Sequence, residues 1–588
     1  MGRNRGKVEN HEKSHYYMIT KVNMYSDKLN VQILVSLLIE HQISHIVLCP
    51  GSRNSPLTHT ISQHPFFKCF SIFDERSAAF FAIGLSQKLQ RPTAICCTSG
   101  TALLNLASAV AEAKYQQIPL LVISADRPPA WINQMDGQTI PQQGIFGSLV
   151  KKSVQLPEIQ NDEDRWYCER LVNEAILSLS QHECAPVHIN IPISEPLFQY
   201  TASKLPAVKA IKLAFTQRTI CDPEFVQNWG KSQKRMILVG QLPPNPQLER
   251  IIEQISRQWH CVVLCEHLAN IQNVNDVITH FDTILKVSDS SKIHQLKPDI
   301  LLTIGGHIVS KQLKKFLRNA RPVHYLISES GEPADTFQSL RSIVEGEPKR
   351  ILKTLCESIP DVNNETEAIA YKTQWNSLQD IQIKKITNTT VPWSDLFVIR
   401  LFFDNMSSNA ALHLANSSTV RYAQLFDLPP NTQVYCNRGT SGIDGTLSTS
   451  VGFSILHQGI TYVIIGDLSF FYDMNVLMCR YITSNLRILL INNGGGGIFH
   501  QLQGLEKSPA LAEYIAASHS VSAQGWIESL GIGYLAAKTE TELQQCLIPF
   551  TQTKAEKTAL CLEVFTDSQS NEKAIKTFYE ILENKIHE

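Results

Sequence analysis

Gly466-Asp467-Leu468 is followed, at the distance of one βαβ unit, by Asn492-Asn493-Gly494. Residues 461–465 and 487–491 are apolar runs fit for buried strands, and 470–480 is long enough for a helix between them. Both polar clusters then fall at the carboxyl ends of parallel strands, where open α/β sheets bind ligands. A carboxylate and a side-chain amide brought together there make an oxygen site suited to Mg²⁺ holding a diphosphate. The glycines at 494–497 would let backbone approach the phosphates closely.

Other clusters carry acid chemistry or anion recognition. Phe73-Asp74-Glu75-Arg76 ends a buried run and opens a helix. An acidic helix start favoured by the dipole is its plainer reading. The other is a partly buried glutamic acid whose burial favours a neutral, proton-donating form. Cys49-Pro50-Gly51-Ser52-Arg53-Asn54 joins a strand to a helix, with Gly51 for a tight turn and Ser52 and Asn54 as candidate caps. Arg53 at its tip could grip a carboxylate with two hydrogen bonds. Thr98-Ser99-Gly100-Thr101 is a third such turn, either facing a cofactor or only capping a helix. Ala125-Asp126-Arg127-Pro128-Pro129 ends the next strand, and its loop continues to Gln138 and Gln142-Gln143. Toward the C-terminus, Asn416-Ser417-Ser418-Thr419-Val420-Arg421 and Asn437-Arg438-Gly439-Thr440-Ser441-Gly442-Ile443-Asp444-Gly445 also follow strands. Small residues around Ile443 would let a flat ring lie against backbone, with Ile443 either a wedge beneath it or a core residue. One surface arginine is usually a solvated charge. Several at strand ends of one sheet call for an anion.

The elements that must position these residues alternate along the chain. An amphipathic helix at 31–42 and buried strands at 45–49, 69–73, 92–97, 119–124 and 185–191 make a first region, the last strand closing its sheet. The pattern lapses over 200–213, then resumes with strands at 236–240, 261–264, 300–304 and 323–327. A polar, acidic stretch at 360–368 reads as a linker. A third region ends with a strand at 559–565 and a helix over 572–585. The fold class expected is α/β, with three doubly wound parallel-sheet domains at 27–205, 206–368 and 369–588. Residues 1–26 read as a polar N-terminal extension without a secretory signal, and regular structure is expected from about Asp27. The chain has 588 residues and a formal net charge of −1, which argues against a nucleic-acid partner. No apolar stretch approaches the roughly 20 residues that span a bilayer. The 14 cysteines lack paired spacing and read as buried thiols of a cytoplasmic protein.

The GD…NN pair resembles the metal–diphosphate motif of thiamine-diphosphate enzymes. The segments PGSRNSPLT, DERSAAFFAIGL, TSGTALLN, SADRPP, NRGTSGIDG, GDLSFFYDMN and NNGGGGIF, in that order, resemble one branch of that family. The branch is the menaquinone-pathway 2-succinyl-5-enolpyruvyl-6-hydroxy-3-cyclohexene-1-carboxylate synthases. The resemblance implies a pyrimidine-binding domain, a central domain and a diphosphate-binding domain. It implies thiamine diphosphate with Mg²⁺ or Mn²⁺, and the ligation of 2-oxoglutarate to isochorismate with loss of CO₂. Glu75 would activate the cofactor. Ser99, Gly100, Ser441, Ile443, Gly466, Asp467, Leu468, Ser469, Asn493, Gly495 and Ile498 would hold it, with Asp467, Asn493 and the Gly495 carbonyl on the metal. Ser52, Arg53, Arg127, Gln138, Lys311, Ser417, Arg421, Arg438 and Phe499 would contact substrate. A homodimer or homotetramer with active sites between chains is implied as well.

Two positions depart from the pattern: Gly137 stands where some relatives carry asparagine, and Asn492-Asn493-Gly494 replaces a triple asparagine. Neither alters the expected metal side chains. An acetolactate-synthase-like carboligase is the alternative enzyme, but strand-end arginines suit small monoanions poorly. A non-catalytic protein of the same fold is a second alternative, opposed by Glu75, Asp467 and Asn493. A nucleotide-binding Rossmann protein is a third, opposed by the lack of G-x-G-x-x-G after an early strand.

Overall fold

The computed structural model describes residues 24–213, 223–358, 365–502, 504–552 and 558–583. Most of the extension expected at 1–26, and 360–364 of the expected linker, lie outside the described residues.

Runs of residues buried on both faces form the central strands, as parallel sheets covered by helices require. The first sheet comprises β1 (His45–Leu48), β2 (Lys68–Ser71), β3 (Thr93–Cys97), β4 (Leu120–Asp126), β5 (Lys152–Gln155) and β6 (Val187–Pro192). The second comprises β7 (Arg235–Val239), β8 (Val262–Cys265), β9 (Val277–Ile278), β10 (Ile300–Ile304), β11 (Val323–Ser328) and β12 (Leu340–Glu345). The third comprises β13 (Ala411–Leu414), β14 (Gln433–Tyr435), β15 (Thr461–Gly466), β16 (Leu486–Asn492), β17 (Gly533–Ala537) and β18 (Leu560–Phe565). All three sheets are parallel throughout.

The first and third sheets share one topology, β2-β1-β3-β4-β6-β5 and β14-β13-β15-β16-β18-β17. The middle sheet runs β12-β11-β10-β7-β8-β9, the doubly wound order of nucleotide-binding folds. In the two like sheets the strand order reverses between β1 and β3, and between β13 and β15. Ligands bind at such reversals, outside the strands' carboxyl ends. The Arg53 and Ser99-Gly100 turns flank the first reversal, and the Ser417 turn and Asp467 flank the second.

Four expectations are corrected. The strand at 185–191 is β6, but β5 is the edge of its sheet. The first helix, Leu29–Glu40, is buried from Asn30 to Leu38 rather than amphipathic. It lies under the helix Asp162–Ser178 and under residues 205–210, which pack on the same core, and Ser36 Oγ donates to Pro206 O. The helix expected at 470–480 is shorter and starts earlier, at Asp467–Asp473, and continues as a 3₁₀ turn over Met474–Met478. Order begins before Asp27: Tyr25 pairs with Ala202 and Ser26 is buried with its N–H on Thr60 Oγ1.

Helices Glu75–Leu89 and Thr446–Ser454 join the first and third domains. A Cβ on Gly84 would lie 2.0 Å from Thr449 O, and one on Gly452 would lie 2.1 Å from Phe81 O. Only glycine lets these helix backbones approach so closely. The middle domain docks on the third through Asn270, which donates to Val434 O and accepts from Val434 N. The helix Thr366–Asn388 spans the boundary, with Tyr371 and Trp375 in the middle core and Ile386 in the third.

Candidate active site

Residues after β1, β3 and β4 form one wall. A Cβ on Gly51 would lie 2.4 Å from Thr98 Cβ, so glycine lets the β1 and β3 turns touch. The expected caps do not cap. Asn54 is the first helix boundary residue, but its amide donates to Cys49 O at 2.8 Å, and Ser52 is exposed. Gly100 has φ +82° and starts its helix without a side-chain cap. Its N–H donates to Gln142 Oε1 at 2.8 Å. Gln142 in turn donates to Ala125 O and Asn190 Oδ1, and Asn190 donates to Asp126 Oδ2. A buried amide network thus ties the Ser99-Gly100 turn to the strand end that carries Arg127.

Arg53 and Arg127 meet there. Arg53 is buried and donates to Ile193 O at 3.0 Å. Its other nitrogen lies 3.2 Å from Glu195 Oε1, and Arg127 Nη1 lies 4.0 Å from the same oxygen. Arg127 also pairs with Asp136 at 2.8 Å. Two guanidinium groups from different strands therefore already converge on one carboxylate oxygen, from a Glu195 side chain that is 69% exposed. Gln138 lies on the same loop, exposed, with φ +57°.

Asp74 takes the capping role, accepting from Ser77 N at 3.1 Å and from Asn475 Nδ2 at 2.8 Å. That leaves Glu75, the first helical residue, free of it. Burial, with a smaller push from Asp74, raises the Glu75 carboxyl above the usual range. Its charge is felt at Cys49 and Cys97, which places it by the ends of β1 and β3.

The third domain builds a second wall. Asp467 follows β15 and accepts from Leu468 N, Gly494 N and Gly495 N at 2.6, 2.8 and 2.9 Å. Burial pushes its carboxyl up against those donors and the neighbouring His519. Asn493 donates through Nδ2 to Asp395 Oδ2 at 2.8 Å, which leaves its Oδ1 buried without a partner. Asp395 is itself held by Thr566 Oγ1. An orphaned amide oxygen beside a carboxylate fits a hard divalent cation. Among the described residues no group of three or more His, Cys, Asp or Glu could hold a metal, so a cation here would take mixed oxygens. The glycines at 494–497 serve the chain's own packing: a Cβ on Gly495, at φ +145°, would lie 2.7 Å from Ala516 O. Ile498 and Phe499 follow, half-buried.

Asn416 organises the neighbouring strand-end turns, donating to Asn437 O and Gly442 O and accepting from Arg438 Nη1 at 2.8 Å. Ser417 has φ +73° and ψ −128°, a region almost confined to glycine, so its backbone is strained. Arg421 donates to Ser417 O. Burial, and then Arg438, push Arg421 below its ordinary value. Glu112 of the first domain accepts from Gly439 N, Thr440 N and Thr440 Oγ1 at 2.7, 2.6 and 2.7 Å, which fixes the loop bearing Arg438, Ser441 and Ile443. Ser469 Oγ donates to Ile443 O, and the Ile443 side chain is exposed. Lys311 starts a helix of the middle domain and is exposed.

The sequence assigned Gln142 no role and gave no sign of Glu112 or Asp395. Gln142 lay inside a recognised loop, but Glu112 and Asp395 sit in ordinary helical sequence, and only their partners give them meaning.

Residues 30–147 match the family model described as thiamine pyrophosphate enzyme, N-terminal TPP binding domain. The chain is 46% identical over 566 residues to the 2-succinyl-5-enolpyruvyl-6-hydroxy-3-cyclohexene-1-carboxylate synthase of Bacteroides thetaiotaomicron, covering 96% of this chain and 100% of that protein. The synthase of the same description from Bacteroides fragilis strain YCH46 is 45% identical, covering 95% of this chain and all of the relative. That of Flavobacterium psychrophilum is 38% identical, covering 92% and 96%. Similarity over nearly the whole of each chain joins the parallel-sheet frame and its strand-end residues in one conclusion: the chain belongs to the 2-succinyl-5-enolpyruvyl-6-hydroxy-3-cyclohexene-1-carboxylate synthase family of thiamine pyrophosphate enzymes.

Proposed function

We propose that the chain ligates 2-oxoglutarate to isochorismate with loss of CO₂, giving 2-succinyl-5-enolpyruvyl-6-hydroxy-3-cyclohexene-1-carboxylate in menaquinone biosynthesis. One observation supports it above the others. Two arginine pairs, Arg53 with Arg127 and Arg421 with Arg438, stand at the carboxyl ends of the two like sheets. The two substrates carry four carboxylates between them, and planar guanidinium groups bind carboxylates in fixed orientation. A pyruvate-specific carboligase would have no use for them.

Bound thiamine diphosphate would supply the electron sink that lets a 2-oxo acid lose CO₂ and its carbonyl carbon attack the second substrate. Asp467, Asn493 Oδ1 and the Gly495 carbonyl would hold Mg²⁺ or Mn²⁺ on the diphosphate. Glu75, whose carboxyl burial raises, would offer its proton to a pyrimidine nitrogen of the bound cofactor. Ile443 would support the cofactor rings, and Ser99, Gly100, Ser441, Gly466, Leu468, Ser469 and Ile498 would line it. Ser52, Gln138, Lys311, Ser417 and Phe499 join the arginines around substrate. The domains are taken as 27–205, 206–368 and 369–588. Homodimers or homotetramers place the sites between chains, in the cytoplasm. Among the described residues no helix is long and apolar enough to cross a membrane.

The test is a product assay with 2-oxoglutarate and isochorismate, with and without thiamine diphosphate and Mg²⁺. CO₂ release that requires all four is expected. Release from pyruvate alone, or none at all, would overturn the reading.

A further inference from the structure

The third-domain loop that carries Arg438, Ser441 and Ile443 is held from outside its own domain. Glu112, in the helix Ala107–Tyr115 of the first domain, is buried against it. Its Oε1 accepts from Gly439 N at 2.7 Å and from Gln116 Nε2 at 2.5 Å. Its Oε2 accepts from Thr440 N at 2.6 Å and from Thr440 Oγ1 at 2.7 Å. Both carboxylate oxygens are thus engaged by neutral donors, three of them from the loop. The backbones meet as well: a Cβ on Gly439 would lie 2.6 Å from Glu112 O, a contact that only glycine allows.

The middle domain reaches the same place. Gln116 Nε2 lies 3.5 Å from Asn437 Oδ1, and Gln116 Oε1 accepts from Gln241 Nε2 at 3.3 Å. Gln241 also donates to Cys436 O at 2.8 Å. Gln241 follows β7, beside the reversal of strand order between β7 and β10, where doubly wound sheets receive ligands. Here the turns after those two strands close on each other. Gly306 N donates to Gln241 O at 2.9 Å, and a Cβ on Gly240 would lie 2.2 Å from Gly306 O. The Gln241 side chain leaves that closed crevice toward the loop, so three domains meet at residues 436–440.

Within its own domain the loop is gripped at its two ends, where Asn416 donates to Asn437 O and Gly442 O. Glu112 holds the middle, directly after Arg438. A carboxylate only accepts, so it fixes both backbone N–H groups at once. An amide in its place would set an N–H against that of Gly439 or of Thr440, whichever way it turned, and leave a donor unpaired. Resting on the function proposed above, we infer that Glu112 is a positioning residue for the reaction: from the first domain it fixes the third-domain loop that brings Arg438 to substrate and Ile443 to cofactor, and Gln116 and Gln241 tie the middle domain to the same loop.

The experiment compares Glu112→Gln, Thr440→Val and Lys114→Gln in the full chain, loaded with thiamine diphosphate and Mg²⁺. Thr440→Val removes the hydroxyl bond alone, and Lys114, in the same helix, pairs with Glu183 instead. Hydrogen exchange read by mass spectrometry follows the amides of 437–443, and steady-state constants are measured with 2-oxoglutarate and isochorismate. Glu112→Gln is expected to speed exchange there by about tenfold or more. It should raise KM for at least one substrate by about tenfold, as loss of a hydrogen bond to a charged group does. Affinity for thiamine diphosphate with Mg²⁺, by calorimetry, stays within about threefold, because Asp467 and Asn493 stand on other turns. Thr440→Val raises the same KM about threefold, and Lys114→Gln matches the parent. A carboxylate serving stability alone would lower the melting temperature and leave KM where it was. A folded Glu112→Gln variant with parental exchange at 437–443, or with parental KM for both substrates, overturns the assignment. Should that variant not fold, parental KM for both substrates in Thr440→Val overturns it. A parent that turns over neither substrate overturns the underlying function instead, while exchange still judges whether Glu112 holds the loop.

Discussion

Glu75 differs from its neighbour Asp74 in what it is left free to do. Asp74 accepts from Ser77 N and Asn475 and is spent on holding the helix start, while Glu75 carries the raised carboxyl. Glu75→Gln should keep thiamine diphosphate affinity within about an order of magnitude by calorimetry and lose most turnover, because only proton donation is removed. Unchanged turnover would refute the role. Asp473 gives a residue-scale prediction about stability. Its two oxygens accept from Ser448 N at 2.7 Å and Ser448 Oγ at 2.6 Å, and burial pushes its carboxyl up to about 7. A carboxyl raised in the folded state binds its proton more tightly there than when unfolded. Its stabilising effect is therefore complete below the ordinary carboxylate range and is lost as pH rises through about 7. Asp473→Asn, whose oxygen can accept from Ser448 N while its amide nitrogen donates to Ser448 Oγ, removes the charge and should flatten that decline. It should exceed the parent by about 2 kcal/mol at pH 8 in denaturant unfolding. A parent and variant with parallel pH profiles would remove Asp473 from the explanation.

Glycines separate the elements that touch from those that merely adjoin. The crossing of Glu75–Leu89 with Thr446–Ser454 brings Gly452 so near Phe81 O that a Cβ would stand 2.1 Å away. The helices must part to admit a methyl group, and the loop holding Ile443 moves with them. Gly452→Ala should cost about 1–3 kcal/mol, the range for overpacking, and weaken cofactor uptake. Gly525, inside the helix Gln524–Ser529, has nothing within 4 Å of its Cβ direction. Gly525→Ala should stabilise by about 0.5–1 kcal/mol through helix propensity alone. Thermal melting of both variants checks the contrast, and equal effects of the same sign would contradict it. The elements also show where sequence patterns stop being informative. The central strands are continuous apolar runs and were legible. The strands β5, β9, β12 and β17 were not, because each is a sheet edge. β5 and β12 are half-exposed and mix polar with apolar residues, β17 is half-exposed and built of small residues around Tyr534 and Leu535, and β9 is two residues long.

Across the whole molecule, one chain presents a partly apolar surface around the start of the Glu75 helix. Phe73, Tyr472 and Met478 are exposed there, and Ile443 is exposed on the third domain. Arg76 lies 4.2 Å over the Tyr472 ring and holds it at the rim. Burying such side chains against a second copy would remove apolar surface from water and close the site. Sedimentation at micromolar concentration should show at least a dimer, and Phe73→Asp with Met478→Asp should yield a folded, inactive monomer. A monomeric parent with full turnover would contradict the arrangement.

The order of strand-end motifs, the parallel α/β class and the placing of Glu75, Asp467, Asn493 and the arginines at strand ends were all legible in the chain itself. They are local: a buried run, a turn and a helix start lie within a dozen or so consecutive residues, and their chemistry travels with them. Tertiary structure alone decided that Gln142 holds Gly100, that Glu112 holds the Arg438 loop, and that Asp395 turns the Asn493 oxygen free. Each of these joins residues far apart in sequence through crossover connections. A helical position reveals which way it points only once the surface it packs against exists.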